Sequence, residues 1–151
     1  ILAQSMGTFI TTLANPSGMT KTVFTGLPNT NTSYIKEKML KRFGAREGAR
    51  VSFEGITIFP RSSGKSTKIG PSFWKVLEQF NPIQSVTNYS KHTQLLVIHP
   101  KQDEIVRLEY LDGYKTIPNA TIKWLDGDHS FTKSEDRKRL IQEVIAFFEN
   151  K

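Results

Sequence analysis

The sequence contains no cysteine, which excludes disulfide bonds, thiolate nucleophiles and cysteine-based metal sites. No stretch of about 18 consecutive apolar residues occurs, so there is no segment typical of a membrane-spanning helix. The zinc-binding pattern His-Glu-x-x-His is also missing, and neither a metal nor another cofactor is expected. The 151 residues, 37% hydrophobic and 23% charged, predict one soluble globular domain with a real core.

Acidic residues are scarce between positions 28 and 72, where there are nine basic side chains and only three acidic ones. This excess accounts for most of the formal net charge of +7. Such a block predicts either an ordinary solvated surface or an attraction for nucleic acid, anionic lipid or an acidic substrate. The basic residues are Lys36, Lys38, Lys41, Arg42, Arg46, Arg50, Arg61, Lys65 and Lys68, and the acidic ones are Glu37, Glu47 and Glu54.

Short apolar stretches alternate with segments of helical periodicity. Strands are predicted over 1–3, 22–25, 94–99 and 121–125, and a hairpin over 51–59 followed by a loop over 60–70. Helices are predicted over 6–14, 34–43, 73–80, 106–114 and from Thr132 or Ser134 onward. This alternation predicts an α/β fold with a mostly parallel sheet flanked by helices. We expect 1–27 and 73–151 to form its core and 28–72 to form a cap insertion.

The sequence Ala3-Gln4-Ser5-Met6-Gly7 follows two apolar residues and runs into the first predicted helix. A serine between small residues at a strand-to-helix turn is typical of a nucleophile elbow, which holds the hydroxyl clear of its own backbone. We expect Ala3 and Gly7 to be small because larger side chains would collide with neighbouring elements. The alternative is that Ser5 caps the helix, a common use of serine. The motif by itself is too short to decide.

Two further loops that follow predicted strands carry Asp103 and His129. Ligands gather at the carboxyl ends of parallel strands, so Ser5, Asp103 and His129 are expected to lie at one edge of the sheet. A serine nucleophile needs a base to take its proton and a carboxylate to orient that base. The chain order Ser, Asp, His is the one expected for an elbow serine. Other candidates are Glu104, Asp126 and Asp128 for the acid, and His92 and His99 for the base.

These residues stand in segments that resemble the C-terminal half of an α/β-hydrolase-fold serine hydrolase of the small esterase and lipase type. The segments are 3–7, 96–106 and 127–131, the last followed by a helix that ends in Phe147-Phe148. The resemblance implies that Ser5 is the nucleophile, Asp103 the acid and His129 the base. It further implies that the backbone N–H of Met6 belongs to the oxyanion hole.

The chain departs from this family in two places. The family more often has glycine where Ala3 stands, and it has further strands before the elbow, one of whose loops supplies a second oxyanion donor. We therefore expect an N-terminal segment or another chain to complete the fold, and the 151 residues to be the C-terminal part of something longer.

The resemblance implies cleavage of a carboxylic ester or related acyl substrate through an acyl-enzyme. The partner would be a small-molecule ester, anionic or lipid-like to suit the basic cap, and no nucleic acid is expected to bind. We expect the protein to be cytoplasmic. The alternative is a non-catalytic module of this fold whose basic cap surface binds a protein, nucleic acid or anionic lipid. The side chains expected to shape the substrate pocket are Tyr34, Met39, Phe53, Phe59, Phe73 and Trp74.

Overall fold

The computed structural model of the chain describes residues 1–28, 32–106 and 108–150. In chain order its elements are β1 (Leu2–Gln4), α1 (Met6–Ala14), β2 (Lys21–Thr25), α2 (Thr32–Met39), a π-helical turn (Leu40–Gly44), β3 (Thr57–Pro60), β4 (Ser66–Ile69), α3 (Pro71–Gln79), α4 (Pro82–Ser90), β5 (Gln94–Pro100), two 3₁₀ turns (Leu108–Tyr110 and Asp112–Tyr114), β6 (Ala120–Leu125) and α5 (Ser134–Glu149). The chain divides into two compact units, Ile1–Thr30 with Pro82–Lys151, and Asn31–Asn81.

The first unit is built on a four-stranded sheet in the order β1-β2-β5-β6, in which every neighbouring pair is parallel. Helix α1 lies in the connection from β1 to β2, and α2, α3 and α4 lie in the connection from β2 to β5, whereas β5 and β6 are joined through the two 3₁₀ turns. The registers Gln4↔Thr25 and Thr25↔Ile98 align the carboxyl ends of the first three strands. The prediction of a mostly parallel α/β sheet is confirmed.

Both faces of this sheet are covered, because side chains along a strand point alternately to opposite faces. On one face Phe24, Leu95 and Val97 pack with Val86 and Tyr89 of α4. On the other face the apolar cluster comprises Val23, Leu96, Ile98, Phe131 and Val144. β5 therefore lies at the centre of the core, which explains its nearly continuous run of apolar residues.

Two local predictions were wrong, and one helix was not predicted. The expected helix over 106–114 is replaced by the two 3₁₀ turns, since Val106, Leu111 and Tyr114 must all reach one core cluster from a winding segment. The expected loop over 60–70 contains β4, which pairs with β3 in place of a hairpin confined to 51–59. Helix α4 lies in a segment for which no element was predicted, and Pro82 suits its first position.

The second unit has its own aromatic core around Trp74 of α3. The Trp74 ring lies edge-on to Phe53, Phe59 and Phe73, at centroid distances of 5.3, 6.5 and 5.2 Å. Its indole Nε1 donates a hydrogen bond of 3.1 Å to Thr57 Oγ1. Because α3 packs in this core, the unit extends to Asn81, whereas the sequence prediction ended the insertion at residue 72.

Several large apolar side chains of the first unit are exposed. Leu2 on β1 is 59% exposed, and Ile10 and Leu13 on α1 are 63% and 52% exposed. In the described part of the chain, β1 pairs with a neighbour on one side only. None of the described helices combines the length and the apolar character needed to cross a bilayer.

Candidate functional site

The carboxyl ends of the parallel strands place the three predicted site residues at one edge of the sheet. Ser5 directly follows β1, Asp103 lies in the loop after β5, and His129 lies in the loop after β6. The Ser5 backbone N–H donates to the Thr25 carbonyl oxygen at 2.9 Å, so the pairing of β1 with β2 continues up to the elbow. The serine backbone is thereby fixed relative to the sheet.

Ser5 has an unusual backbone conformation, with φ 50° and ψ −118°. A positive φ in a residue other than glycine is sterically unfavourable and persists only where the surrounding structure enforces it. The Ser5 side chain makes no capping hydrogen bond to α1, so the capping alternative is wrong. Held in this way, the hydroxyl stays available for another partner.

The steric argument for small residues around Ser5 holds less strictly than the sequence suggested. A Cβ added at Gly7 would lie 3.7 Å from the Ala3 Cβ, which is an ordinary van der Waals contact. Alanine would therefore fit at Gly7, and the expected collision of larger side chains stays a prediction.

His129 and Asp103 form a buried hydrogen bond of 2.8 Å between His129 Nδ1 and Asp103 Oδ2, with side chains 8% and 1% exposed. The other carboxylate oxygen, Asp103 Oδ1, accepts backbone N–H groups from Ile105 and Val106, each at 2.8 Å. Burial by itself raises the pKa of Asp103, but these hydrogen bonds and the His129 charge together lower it below its usual value. The carboxylate therefore stays ionised beside the imidazole.

The structure distinguishes Asp103 from the other candidate acids. Glu104 Oε2 accepts the backbone N–H of His129 at 3.2 Å. Asp128 accepts N–H groups from Ser130 and Thr132 within its own loop. Asp126 forms an exposed ion pair with Lys101 at 3.2 Å. Of these four carboxylates, Asp103 is the one that holds the imidazole.

Contacts that sequence reasoning missed hold the His129 loop. Gln102 Oε1 accepts the backbone N–H of Gly127 at 2.6 Å, and the Gln102 N–H donates to the Gly127 carbonyl at 3.1 Å. The Gln4 side-chain amide donates to the His129 carbonyl oxygen at 3.0 Å. The imidazole itself lies against Gly26, where an added Cβ would come within 2.9 Å of His129 Cε1.

One of these missed residues carried a detectable signal. A glycine directly after a buried strand, such as Gly26, often marks a close approach of backbone and another group. The polar side chains of Gln4 and Gln102 carried no comparable signal, because their partners are more than twenty residues away in the sequence.

The remaining predicted site residues are Met6 in the first unit and six side chains in the second unit. Met6 is the first residue of α1, where a backbone N–H has no acceptor within the helix, as an oxyanion donor requires. In the second unit Phe59 and Trp74 are fully buried in its core, whereas Phe53 is exposed and Tyr34, Met39 and Phe73 are half-buried. Among the described residues, no three histidine or carboxylate side chains could share a metal ion.

Comparison with known proteins found no matching family model and no matching curated protein. The esterase domain of a Rhodothermus marinus protein matches at 19% identity with a TM-score of 0.65, over 95% of this chain and 57% of that one. BpoC of Mycobacterium tuberculosis H37Rv, a candidate non-heme bromoperoxidase, matches at 16% identity with a TM-score of 0.60, over 97% and 65%. Est1E from Butyrivibrio proteoclasticus matches at 18% identity with a TM-score of 0.53, over 96% and 60%.

These matches extend over nearly all of this chain but over less than two thirds of each solved structure. At identities of 16–19% these matches show the architecture alone, and it is the one described above for this chain. The chain has the α/β-hydrolase fold.

Proposed function

We propose that this chain carries the catalytic residues of a serine hydrolase that cleaves a carboxylic ester or related acyl substrate. The observation that carries the proposal is the buried hydrogen bond between His129 Nδ1 and Asp103, at the sheet edge where Ser5 stands on a strained turn. Strained backbone and a buried carboxylate–imidazole pair both cost stability, and such features concentrate at functional sites. The names of two matching structures, an esterase domain and Est1E, favour an ester substrate.

In the proposed mechanism Asp103 holds Nδ1 of His129, which leaves Nε2 to accept the proton of the Ser5 hydroxyl. The serine oxygen attacks the substrate carbonyl carbon, and the ionised Asp103 stabilises the imidazolium that forms. The Met6 N–H donates to the developing oxyanion. His129 then returns the proton to the leaving alcohol, and the acyl group remains on Ser5.

Hydrolysis of the acyl-enzyme repeats the sequence with water as the nucleophile. His129 takes a proton from the water, hydroxide adds to the acyl carbonyl, and Ser5 departs with the proton that His129 returns. A second oxyanion donor would come from an N-terminal segment or chain that completes the fold. Losing one such donor costs roughly a hundred- to a thousandfold in rate, so the full-length protein is the proper subject of any assay.

The second unit is proposed to act as a cap over the substrate, with Tyr34, Met39, Phe53 and Phe73 as its accessible apolar contributors. Its charge favours an anionic or lipid-like ester. Arg50 and Lys68 lie opposite Ile58 on neighbouring strands, so all three side chains share one face of the β3–β4 ribbon. Both cations are exposed, and neither forms an ion pair within the described residues.

A fluorophosphonate probe tests the proposed nucleophile in the full-length protein. We expect a covalent adduct at Ser5, located by mass spectrometry of the digested protein, because an activated serine reacts with such probes. The adduct should be lost in Ser5→Ala, and its rate of formation should fall by about a thousandfold or more in His129→Ala. Ser17→Ala, which removes an exposed serine after α1, should label like the wild type.

Two results would contradict the proposal. One is the absence of any adduct on a well-folded full-length protein, which would favour the non-catalytic binding module. The other is labelling of His129→Ala at the wild-type rate, since the serine would then react without its base.

A further inference from the structure

The backbone of His129 is hydrogen-bonded on both sides by side chains outside its own loop. Its N–H donates to Glu104 Oε2 at 3.2 Å, and its carbonyl oxygen accepts the Gln4 amide Nε2 at 3.0 Å. The imidazole has a third partner in Asp103, at 2.8 Å from Nδ1. Three side chains from two other segments of the chain therefore fix one residue.

Gln4 differs from the other two because it is covalently joined to Ser5. The peptide unit between them is held on the sheet, with Gln4 in register with Thr25 and the Ser5 N–H bonded to the Thr25 carbonyl. The Gln4 amide thus connects the backbone of the proposed base to the residue beside the proposed nucleophile. Of the three hydrogen bonds of His129 named above, it is the one whose partner is covalently joined to Ser5.

We propose that Gln4 is a positioning residue that sets the distance between His129 and Ser5, with Glu104 holding the opposite side of the His129 backbone. This inference rests on the proposed function of Ser5 and His129. It assigns a role to the position before the serine, whereas the elbow pattern itself requires only that its flanking residues be small.

The Asp103 hydrogen bond alone does not fix this distance. A single bond at Nδ1 constrains the ring, and the two Gln102 contacts hold the loop at Gly127, two residues before His129, so neither fixes the His129 backbone itself. Proton transfer demands hydrogen-bond reach between base and nucleophile, and a misplacement of about 1 Å can cost a hundredfold in rate. A donor fixed to the sheet beside Ser5 removes that freedom.

The test compares Gln4→Met, Gln4→Lys and the control Gln142→Met in the full-length protein, with a p-nitrophenyl ester as substrate. Methionine keeps the length of glutamine but cannot donate, whereas lysine keeps a donor of similar reach. Gln142 is exposed on α5, an element that carries none of the proposed site residues. We expect Gln4→Met to lower kcat about tenfold to a hundredfold with little change in KM, Gln4→Lys to recover most of that loss, and the control to match the wild type.

A second measurement separates positioning from general damage. The proton between His129 Nδ1 and Asp103 should give a low-field proton resonance, and this resonance should persist in Gln4→Met because the Asp103 contact is untouched. Loss of that resonance, or a rise in KM that accounts for the whole effect, would overturn the inference. A Gln4→Lys variant as slow as Gln4→Met would overturn it as well, since the donor would then be irrelevant.

The outcomes also separate this inference from the proposed function. If Ser5→Ala and His129→Ala abolish hydrolysis while Gln4→Met keeps the wild-type kcat, the hydrolase stands and only the role of Gln4 fails. If Ser5→Ala keeps full activity, the proposed function fails first.

Discussion

The buried histidine at the end of β5 is a different kind of residue from His129. His99 is 1% exposed and lies against the Trp124 ring at a centroid distance of 5.1 Å. Neither of its ring nitrogens has a hydrogen-bond partner within the described residues. Burial lowers its pKa to about 4, although the nearby Asp103 carboxylate opposes this shift. His99 is therefore neutral near pH 7 and serves the core, which leaves His129 as the candidate base.

Replacement of His99 by phenylalanine should remove a pH-dependent part of the stability. In the unfolded chain a histidine titrates near 6.5, so between pH 6.5 and about 4 the unfolded state binds a proton that the folded state excludes. Stability therefore falls as the pH drops through this window, by up to about 3 kcal/mol. We expect His99→Phe to lose this slope in urea unfolding experiments.

The control for that experiment is His92→Phe, which changes an exposed histidine. Its slope should match that of the wild type over the same pH range. The titration of Asp103 lies lower, below its ordinary value of 3.8, and so does not obscure the window. A His99→Phe protein with an unchanged slope would show that His99 is not buried in its neutral form.

At the scale of elements, the site depends on how closely the turn after β2 approaches the loop after β6. Gly26 has φ +56°, and its backbone passes the imidazole so closely that a Cβ would lie 2.9 Å from His129 Cε1 and 3.2 Å from Nδ1. The ring cannot move aside without stretching its hydrogen bond to Asp103. The end of β2 thus shapes the space for the base, although it supplies no reacting group.

We expect Gly26→Ala to lower both stability and activity. The positive φ costs alanine about 1 kcal/mol, and the contact with the imidazole adds about 1–3 kcal/mol of overpacking. Displacement of the ring should lower kcat/KM about tenfold or more. Thermal unfolding and ester hydrolysis in the full-length protein measure the two effects.

The matched control is Gly18→Ala, which has φ +77° and no atom within 4 Å of the added Cβ. It carries the same backbone penalty without the contact, so its kcat/KM should equal that of the wild type. If Gly26→Ala were as active as Gly18→Ala, the close approach of the β2 turn would have no bearing on the base.

At the scale of the whole molecule, the positive charge is concentrated in the second unit. Five of its cations, all exposed, lie on or beside the β3–β4 ribbon and form no ion pair among the described residues: Arg46, Arg50, Arg61, Lys65 and Lys68. In the first unit, by contrast, some lysines are paired with acidic side chains, as in Lys123–Glu143 and Lys138–Glu135. Unpaired exposed cations attract anions over about a Debye length, so we expect this charge to favour the approach of an anionic substrate.

We expect the double change of Arg50 and Lys68 to glutamate to raise the KM of an anionic ester about tenfold and leave that of a neutral ester unchanged. Added salt should raise the KM of the wild type for the anionic ester and have less effect on the variant. Glutamate at Lys91 and Lys133 in the first unit gives a control with the same net charge. A KM that ignores salt and both substitutions would show that the basic ribbon is an ordinary solvated surface.

Much of the architecture could be predicted because it depends on local patterns. The apolar run of β5 and the periodicity of α1 and α5 arise from the alternation of buried and exposed positions within each element. The segment 105–117 could not be predicted in this way, since its apolar residues serve a core built by distant strands. Helix α4 was missed because its apolar residues, among them the buried Val86 and Tyr89, are outnumbered by polar ones and its first residue is a proline.

The candidate site likewise has a part that local sequence predicts and a part that depends on distant contacts. The sequence by itself determined that a serine, an acid and a histidine each follow a strand, in that chain order. Residue type, chain order and the strand patterns can all be read from the local sequence. Only the tertiary structure decided that Asp103, and not its neighbour Glu104, holds the imidazole, since adjacent side chains point in different directions and the turn at Ile105 and Val106 orients the first. The tertiary structure alone also brings Gln4 and Gly26 to His129, because contacts across more than a hundred residues depend on how the strands are ordered in the sheet.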